Sequence, residues 1–454
     1  VRDLVFIAFL GAFFALGFRK PFLFVLTYVY IDVVSPQRLT YLLLNSVPIS
    51  MIAVGLSVLG WLAIDDKRNM RIAPRQGLML LLLVYCAYTT HYADFPIEAQ
   101  DKWEWVWKAL AFAIFLPLTL RTKLRIEALL LFMILSASSI IITGGIKTAL
   151  GGGGYGELNL MVDNNSGLYE GSTISTVAIA IIPLVLWFSK FGTIFKPDRL
   201  VRLFCYCLCF ACLLIPVGTS TRTGLLCIAL LGVLMLRDAK NPLLYIGGAA
   251  MLGVVALPFL PSAFTQRMET IQSYKQDESA STRLAVWKWT IEYAKDHPLG
   301  GGFEAYRQNR IRYDIVSAEG MSNNAKLDVK VAIDQGRAYH SAYFEMLGEQ
   351  GYPGLLMWLI LQIGGLFRME VLRRRYRHSD EQWAWVSPLA TALQHGHIVY
   401  LLGACFVGIA FQPFMFMLIG AQIGLDTYCA RKRAESSWRP IRRKHGPPPE
   451  PATA

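Results

Sequence analysis

Charge is scarce in this chain. Asp, Glu, Lys and Arg make up 17% of its 454 residues, where a soluble domain carries about 25%. Polar linkers are missing from the first 262 residues, which excludes a string of soluble domains. Nucleotide signatures are missing too: no GxGxxG follows a strand, and there is no P-loop. The eight cysteines do not have the spacing of a disulfide framework. Four of them, Cys205, Cys207, Cys209 and Cys212, fall in one apolar run, where they read as small helix-packing residues rather than a metal site.

Apolar sequence fills the space. Hydrophobic residues make up 54% of the chain and the mean hydropathy is +0.40. A bilayer-spanning helix needs about 20 apolar residues, fewer where the membrane thins. Runs of that kind cover 2–18, 21–35, 46–64, 77–91, 104–120, 127–148, 172–189, 200–217, 222–236, 243–262, 353–367, 384–406 and 408–429. The pattern predicts an all-α, polytopic membrane protein of twelve or thirteen spans, twelve if the first two form one broken element. A cleaved signal peptide is not expected, because 2–18 lacks a small-residue cleavage site and runs directly into the next span.

The net charge of +12 has a position as well as a sign. Of the 44 Lys and Arg, 27 lie in seven segments: Arg19–Lys20, Lys67–Arg75, Arg121–Arg125, Lys190–Arg202, Arg237–Lys240, Arg368–Arg377 and Arg431–Lys444. The span order puts all seven on one side, which the positive-inside rule makes cytoplasmic. The opposite loops, 36–45, 92–103 and 149–171, hold very few basic residues. The charge therefore sets topology, and nucleic acid is not an expected partner.

Four regions follow: membrane helices over 1–262, a large polar loop over 263–352, further membrane helices over 353–430, and a basic, Pro-rich, disordered tail over 431–454. By the charge argument the loop is periplasmic, and loops of its length usually carry function. Ser281-Thr282-Arg283 opens an expected helix that runs to about Lys295. His297-Pro298 ends it and Gly300-Gly301-Gly302 turns the chain. A second helix is expected from Ala338 to Gly348–Gly351, and 316–336 reads as a mobile insert.

The side chains suited to chemistry gather at this outer side. Arg222 lies in Gly218-Thr219-Ser220-Thr221-Arg222-Thr223-Gly224, a tight turn between two spans. It either snorkels at a helix end or clamps an anion through its planar fork of donors. Ser220, Thr221 and their neighbouring threonines would add neutral donors. Arg283 sits toward a helix N-terminus, where a cation is disfavoured; Asp277 and Glu278 or an anionic ligand would compensate it. His340, between Tyr339 and Ser341 and close to Arg337, has the side chain best suited to take a proton near neutral pH. Trp287, Tyr339 and Tyr343 could stack on sugar faces. Asp163-Asn164-Asn165 either binds sugar hydroxyls or makes a turn. His395-Gly396-His397 lies within a span without a nearby third ligand, so no metal is expected there.

These segments resemble the O-antigen ligase family of bacterial envelope glycosyltransferases, in particular the branch associated with exosortase A systems. The resemblance rests on Arg2-Asp3-Leu4, Ser35-Pro36-Gln37-Arg38-Leu39-Thr40, Asp163-Asn164-Asn165 and Ser220-Thr221-Arg222-Thr223-Gly224. It continues in Asp277-Glu278-Ser279-Ala280 with Arg283 and Trp287, and in Asp296-His297-Pro298-Leu299-Gly300-Gly301-Gly302-Phe303. It ends in His340-Ser341-Ala342-Tyr343-Phe344 with Leu347-Gly348-Glu349 and Gly351, so that it covers roughly 1–425. Lys326–Gln335 and the pair His395 and His397 depart from that branch.

The resemblance implies transfer, without a metal or other cofactor, of a polysaccharide from undecaprenyl diphosphate to a sugar hydroxyl of lipid A–core. The reaction would occur at the periplasmic face of the inner membrane. It implies that Arg222 and Arg283 bind the diphosphate and that His340 is the general base. Polymerases of the same donor, protein O-oligosaccharyltransferases and, more remotely, a transporter remain as alternatives.

Overall fold

The computed structural model describes residues 2–40, 44, 47–151, 168–237, 241–243, 247, 251, 278–319 and 326–437. Most of these residues are helical. The helices are α1 (Arg2–Gly17), α2 (Phe22–Val34), the short α3 (Pro36–Leu39), α4 (Ile49–Ile64), α5 (Pro74–His91), α6 (Pro96–Thr119) and α7 (Lys123–Gly151). They continue with α8 (Gly171–Phe191), α9 (Arg199–Gly218), α10 (Arg222–Leu236), α11 (Glu278–Asp296), α12 (Ala342–Arg375), α13 (Val386–Ala404) and α14 (Pro413–Ser437). Four of the described helices are long and apolar enough to cross a bilayer, and four shorter apolar ones accompany them. The protein is an all-α, polytopic membrane protein. In lipid only a helix or a closed barrel satisfies every backbone group, and these Leu-, Ile- and Phe-rich runs take the helical solution.

Twelve of the thirteen expected spans coincide with helices; the remaining one, 243–262, lies largely outside the described residues. Boundaries moved where hydropathy was the only guide. The sixth helix begins at Pro96 instead of 104, because Pro at its first turn and the helix-forming residues that follow start it in polar sequence. Burial separates core from lipid-facing helices. α8 is buried along most of its length. By contrast α9 turns Leu200, Leu203, Tyr206 and Phe210 outward, each more than half exposed, as a lipid-facing surface should.

Described residues of the basic segments are tied together at one end of the helices. Arg125 pairs with Asp65 through two bonds of 2.5 and 2.7 Å and covers the Phe22 ring beside Arg19–Lys20. Arg121 donates to the Arg68 carbonyl at 2.6 Å, and Arg431 donates to the carbonyl of Arg121. Glu127 accepts from Thr193 at 2.5 and 2.9 Å. Arg237 reaches Glu370 at 3.1 Å.

Two expectations for the large loop change. Of the stretch 316–336, residues 316–319 and 326–335 are not a loose insert but belong to strands. Strands β1 (Arg310–Glu319) and β2 (Lys326–Gln335) pair antiparallel, with Arg310 opposite Gln335 and Glu319 opposite Lys326. The alternation Arg310-Ile311-Arg312-Tyr313 in the first strand has the period of two that a β-strand requires. The second loop helix starts at Ala342, not Ala338, and continues through a kink at Gly351 (φ 62, ψ −166) into the membrane span. The kink frees carbonyls, and the expected glycine turn fills them: Gly301 N–H donates to Gly348 O at 3.0 Å and Gly302 N–H to Glu349 O at 2.9 Å. The end of α11 is thereby locked onto the start of the last membrane helices.

Candidate active site

The turn from Arg337 to Ser341 is the centre of the site. His340 has φ 48, the left-handed region that side chains other than glycine seldom adopt. Ser341 then precedes α12 and is buried. The turn is held from both sides. Asn309 accepts from Arg337 N at 3.0 Å and donates to Arg337 O at 2.7 Å. The Trp287 indole donates to Tyr339 O at 2.8 Å, and its ring stacks flat on Phe344, with centroids 4.9 Å apart. The Tyr339 ring is buried against Tyr306. A Cβ at position 348 would collide with the Tyr339 hydroxyl, so Gly348 is what lets this ring pack beneath the turn.

His340 itself is exposed, yet protein surrounds enough of the ring to matter. Desolvation, and after it the Arg283 guanidinium, hold its imidazole below the ordinary histidine value; Glu170 pulls upward and Arg337 adds to the lowering. The ring is therefore neutral at neutral pH and can accept a proton. Arg283 lies in the second turn of α11, which begins at Glu278, three residues earlier than the sequence suggested.

Glu170 connects the second half of the site. It caps α8, accepting from Thr173 N at 2.6 Å and Thr173 Oγ1 at 2.8 Å. The next residue, Gly171, packs against Thr219 and Thr221. There the expected donors divide. Thr219, Thr221 and Ser175 close a buried triangle of hydroxyls at 2.8, 3.0 and 2.9 Å, which engages the Thr221 hydroxyl within the turn. Ser220, at φ 50, and Arg222, the first residue of α10, are half-buried at its rim. Tyr343 turns inward, bonding Leu401 O at 3.2 Å and packing on Trp358. Asp163, Asn164 and Asn165 lie outside the described residues.

Two features escaped the sequence reading. Glu170 is one; its signal was an acceptor three residues before Thr173, the spacing of a helix cap. The other is Lys102, whose ammonium bonds Glu345 at 2.6 Å and both carboxylate oxygens of Glu349 at 2.9 Å. Burial alone would lower the Lys102 pKa, but Glu345, Glu349 and Glu304 hold it above the ordinary lysine value. Among the described residues no three His, Cys, Asp or Glu side chains gather as a metal-ligand set. His397 instead lies between Gln362 at 2.8 Å and Gln422 at 3.0 Å.

Known proteins match in two blocks. The O-antigen ligase family model matches residues 207–359, which hold Arg222, Arg283 and His340. A family of unknown function (DUF5935) matches residues 1–193. The exopolysaccharide production protein ExoQ of Rhizobium meliloti (strain 1021) is 24% identical over 165 residues, 36% of this chain and 35% of that relative. The matched stretch thus spans about a third of the relative's length. The chain is a polytopic membrane protein whose residues 207–359 are similar to the O-antigen ligase family.

Proposed function

We propose that the protein is an inverting, metal-independent glycosyltransferase of the O-antigen ligase type, acting at the periplasmic face of the inner membrane. The donor is a polysaccharide on undecaprenyl diphosphate and the acceptor is a sugar hydroxyl of lipid A–core. The observation that carries this reading is His340: a neutral imidazole on a strained turn, with Arg283 acting on it. His340 takes the proton of the acceptor hydroxyl as its oxygen attacks the anomeric carbon. The bond from that carbon to the diphosphate breaks on the opposite side, and undecaprenyl diphosphate departs with the electron pair. Arg283 and Arg222 stabilise the charge gathering on the leaving group. Ser220 supplies a neutral donor, and Trp287 and Tyr339 shape the wall behind the turn.

The similarity to an exopolysaccharide production protein favours a second reading, extension of the polysaccharide on the same donor. One experiment separates them. Purified protein receives undecaprenyl-diphosphate polysaccharide and lipid A–core, with chelator and without nucleotide. Ligation predicts a lipid A–core ladder with wild type, reduced about 10² to 10⁴-fold in His340→Ala, the range of a lost general base. Lengthened donor chains with bare lipid A–core would establish the polymerase. No product of either kind from folded wild type would remove both.

A further inference from the structure

We propose that the basic face carries a binding site for one anionic phospholipid, in a groove between α8, α10, α12 and α13. The groove has a volume of about 380 Å³. Its floor is largely apolar, formed by Pro183, Leu186, Trp187 and Pro388 with His395 beside them, and Met235 also lines it. Its rim is cationic: Lys190, Arg373 and Arg377 line the open end. This separation of an apolar trough from a basic mouth, at helix ends, matches a lipid with its chain inward and its phosphate at the surface.

The charges at the mouth differ in availability. Arg373 already gives Nε and Nη2 to Glu370, both at 2.9 Å. Glu370 also accepts from Arg374 at 2.6 Å and Arg237 at 3.1 Å, so one carboxylate faces three guanidinium groups. Lys190 and Arg377 are exposed, and neither forms an ion pair among the described residues. They are the two cations left for a phosphate. The wall hydroxyls are committed as donors, Ser387 to Arg373 O and Thr391 to Ser387 O, both at 2.9 Å.

Depth fits the chain. Pro183 precedes Lys190 by seven residues on α8, or about 10 Å along a helix, so the trough reaches well below the headgroup level. Trp187 is fixed in its wall, with its indole donating to Trp385 O at 3.1 Å. Met235 is 45% exposed and offers apolar surface to an acyl chain. A soluble anion would use the mouth and leave this trough empty. A zwitterionic lipid would use the trough and bring its choline beside Lys190 and Arg377. Only an anionic phospholipid satisfies both parts.

The test is lipid retention by the intact protein in native mass spectrometry. Dioleoyl phosphatidylglycerol and dioleoyl phosphatidylcholine are offered at equal concentration in detergent. Wild type should retain phosphatidylglycerol preferentially. Lys190→Gln with Arg377→Gln should weaken that retention about 25-fold, about five-fold per charge, and leave phosphatidylcholine unchanged. Lys196→Gln with Arg199→Gln, on the same face outside the groove, should change neither lipid. Equal loss in this control pair would overturn the proposal in favour of a diffuse basic surface. Equal retention of the two lipids by wild type, or displacement of phosphatidylglycerol by millimolar inorganic phosphate, would overturn it as well.

Discussion

His340 and His397 are the same residue in opposite circumstances, and the contrast says what makes a histidine useful. His397 is fully buried between membrane helices, and both ring nitrogens are engaged, by Gln362 and Gln422. Its donors and acceptors are spent on helix–helix cohesion. His340 is exposed, sits at a left-handed backbone position and feels Arg283, Arg337 and Glu170. Backbone strain of this kind persists only where the surroundings impose it, and it clusters at functional sites. Here the surroundings are Asn309, Trp287 and the Tyr339 ring, which hold the turn from three directions.

The sharpest way to test that contrast is through the charges around His340. Arg283→Ala should lower kcat about 10² to 10³-fold, the usual loss for one preorganised donor to developing charge. It should also move the pH profile. A lowered imidazole pKa leaves the base unprotonated at neutral pH, and activity is lost as pH falls through that lowered value. Arg283 contributes to the lowering, so its removal should shift the acid limb of kcat/KM upward. Glu170 acts in the opposite sense, so Glu170→Gln should shift the limb downward and keep an acceptor for Thr173. A profile that moves the same way in both variants would mean that His340 is not the titrating base.

Much of this was legible in the sequence because spans and glycine turns follow local rules. Hydropathy located the helices, and Pro298 with Gly300–Gly302 located the turn that docks on α12. The hairpin was missed because its alternation sits in a polar loop, where charged residues look like disorder. The bond from the Thr221 hydroxyl to Ser175, 46 positions away, was not legible in one sequence. Lys102 was overlooked for the same reason: its partners Glu345 and Glu349 lie more than 240 positions along the chain. Charge pairs of that separation have no local signature.

Lys102 gives the next largest effect, in stability instead of catalysis. Its ammonium lies beside the Phe303 and Phe411 rings and joins α6 to α12. Glu349 also accepts from Glu304 N, and Glu345 from Ala410 N, each at 3.0 Å. Lys102→Met removes the cation and leaves two buried carboxylates facing each other. Breaking such a pair costs about 3 to 5 kcal/mol, so the thermal midpoint of the purified protein should fall substantially. Adding Glu345→Gln and Glu349→Gln to Lys102→Met should recover most of the loss. If the triple variant is no more stable than Lys102→Met, the penalty is lost packing of the lysine stem and not uncompensated charge.

His397 gives the smallest effect, and its smallness is the point. Hydrogen bonds between membrane helices average about 0.6 kcal/mol, because the unfolded chain in lipid also finds partners. Gln422 holds the His397 Nδ1 at 3.0 Å and Gln362 holds Nε2 at 2.8 Å, so His397→Leu breaks two such bonds. It should cost only about 1 to 2 kcal/mol and leave kcat and its pH profile unchanged. The comparison is informative because the ring is packed against Gly365, whose missing side chain makes room for it. Leu at 397 fills most of that space, which isolates the polar contribution from a cavity. Loss of transfer with the fold intact would mean that the intramembrane network acts on the reaction, and the division between a working and a structural histidine would fail.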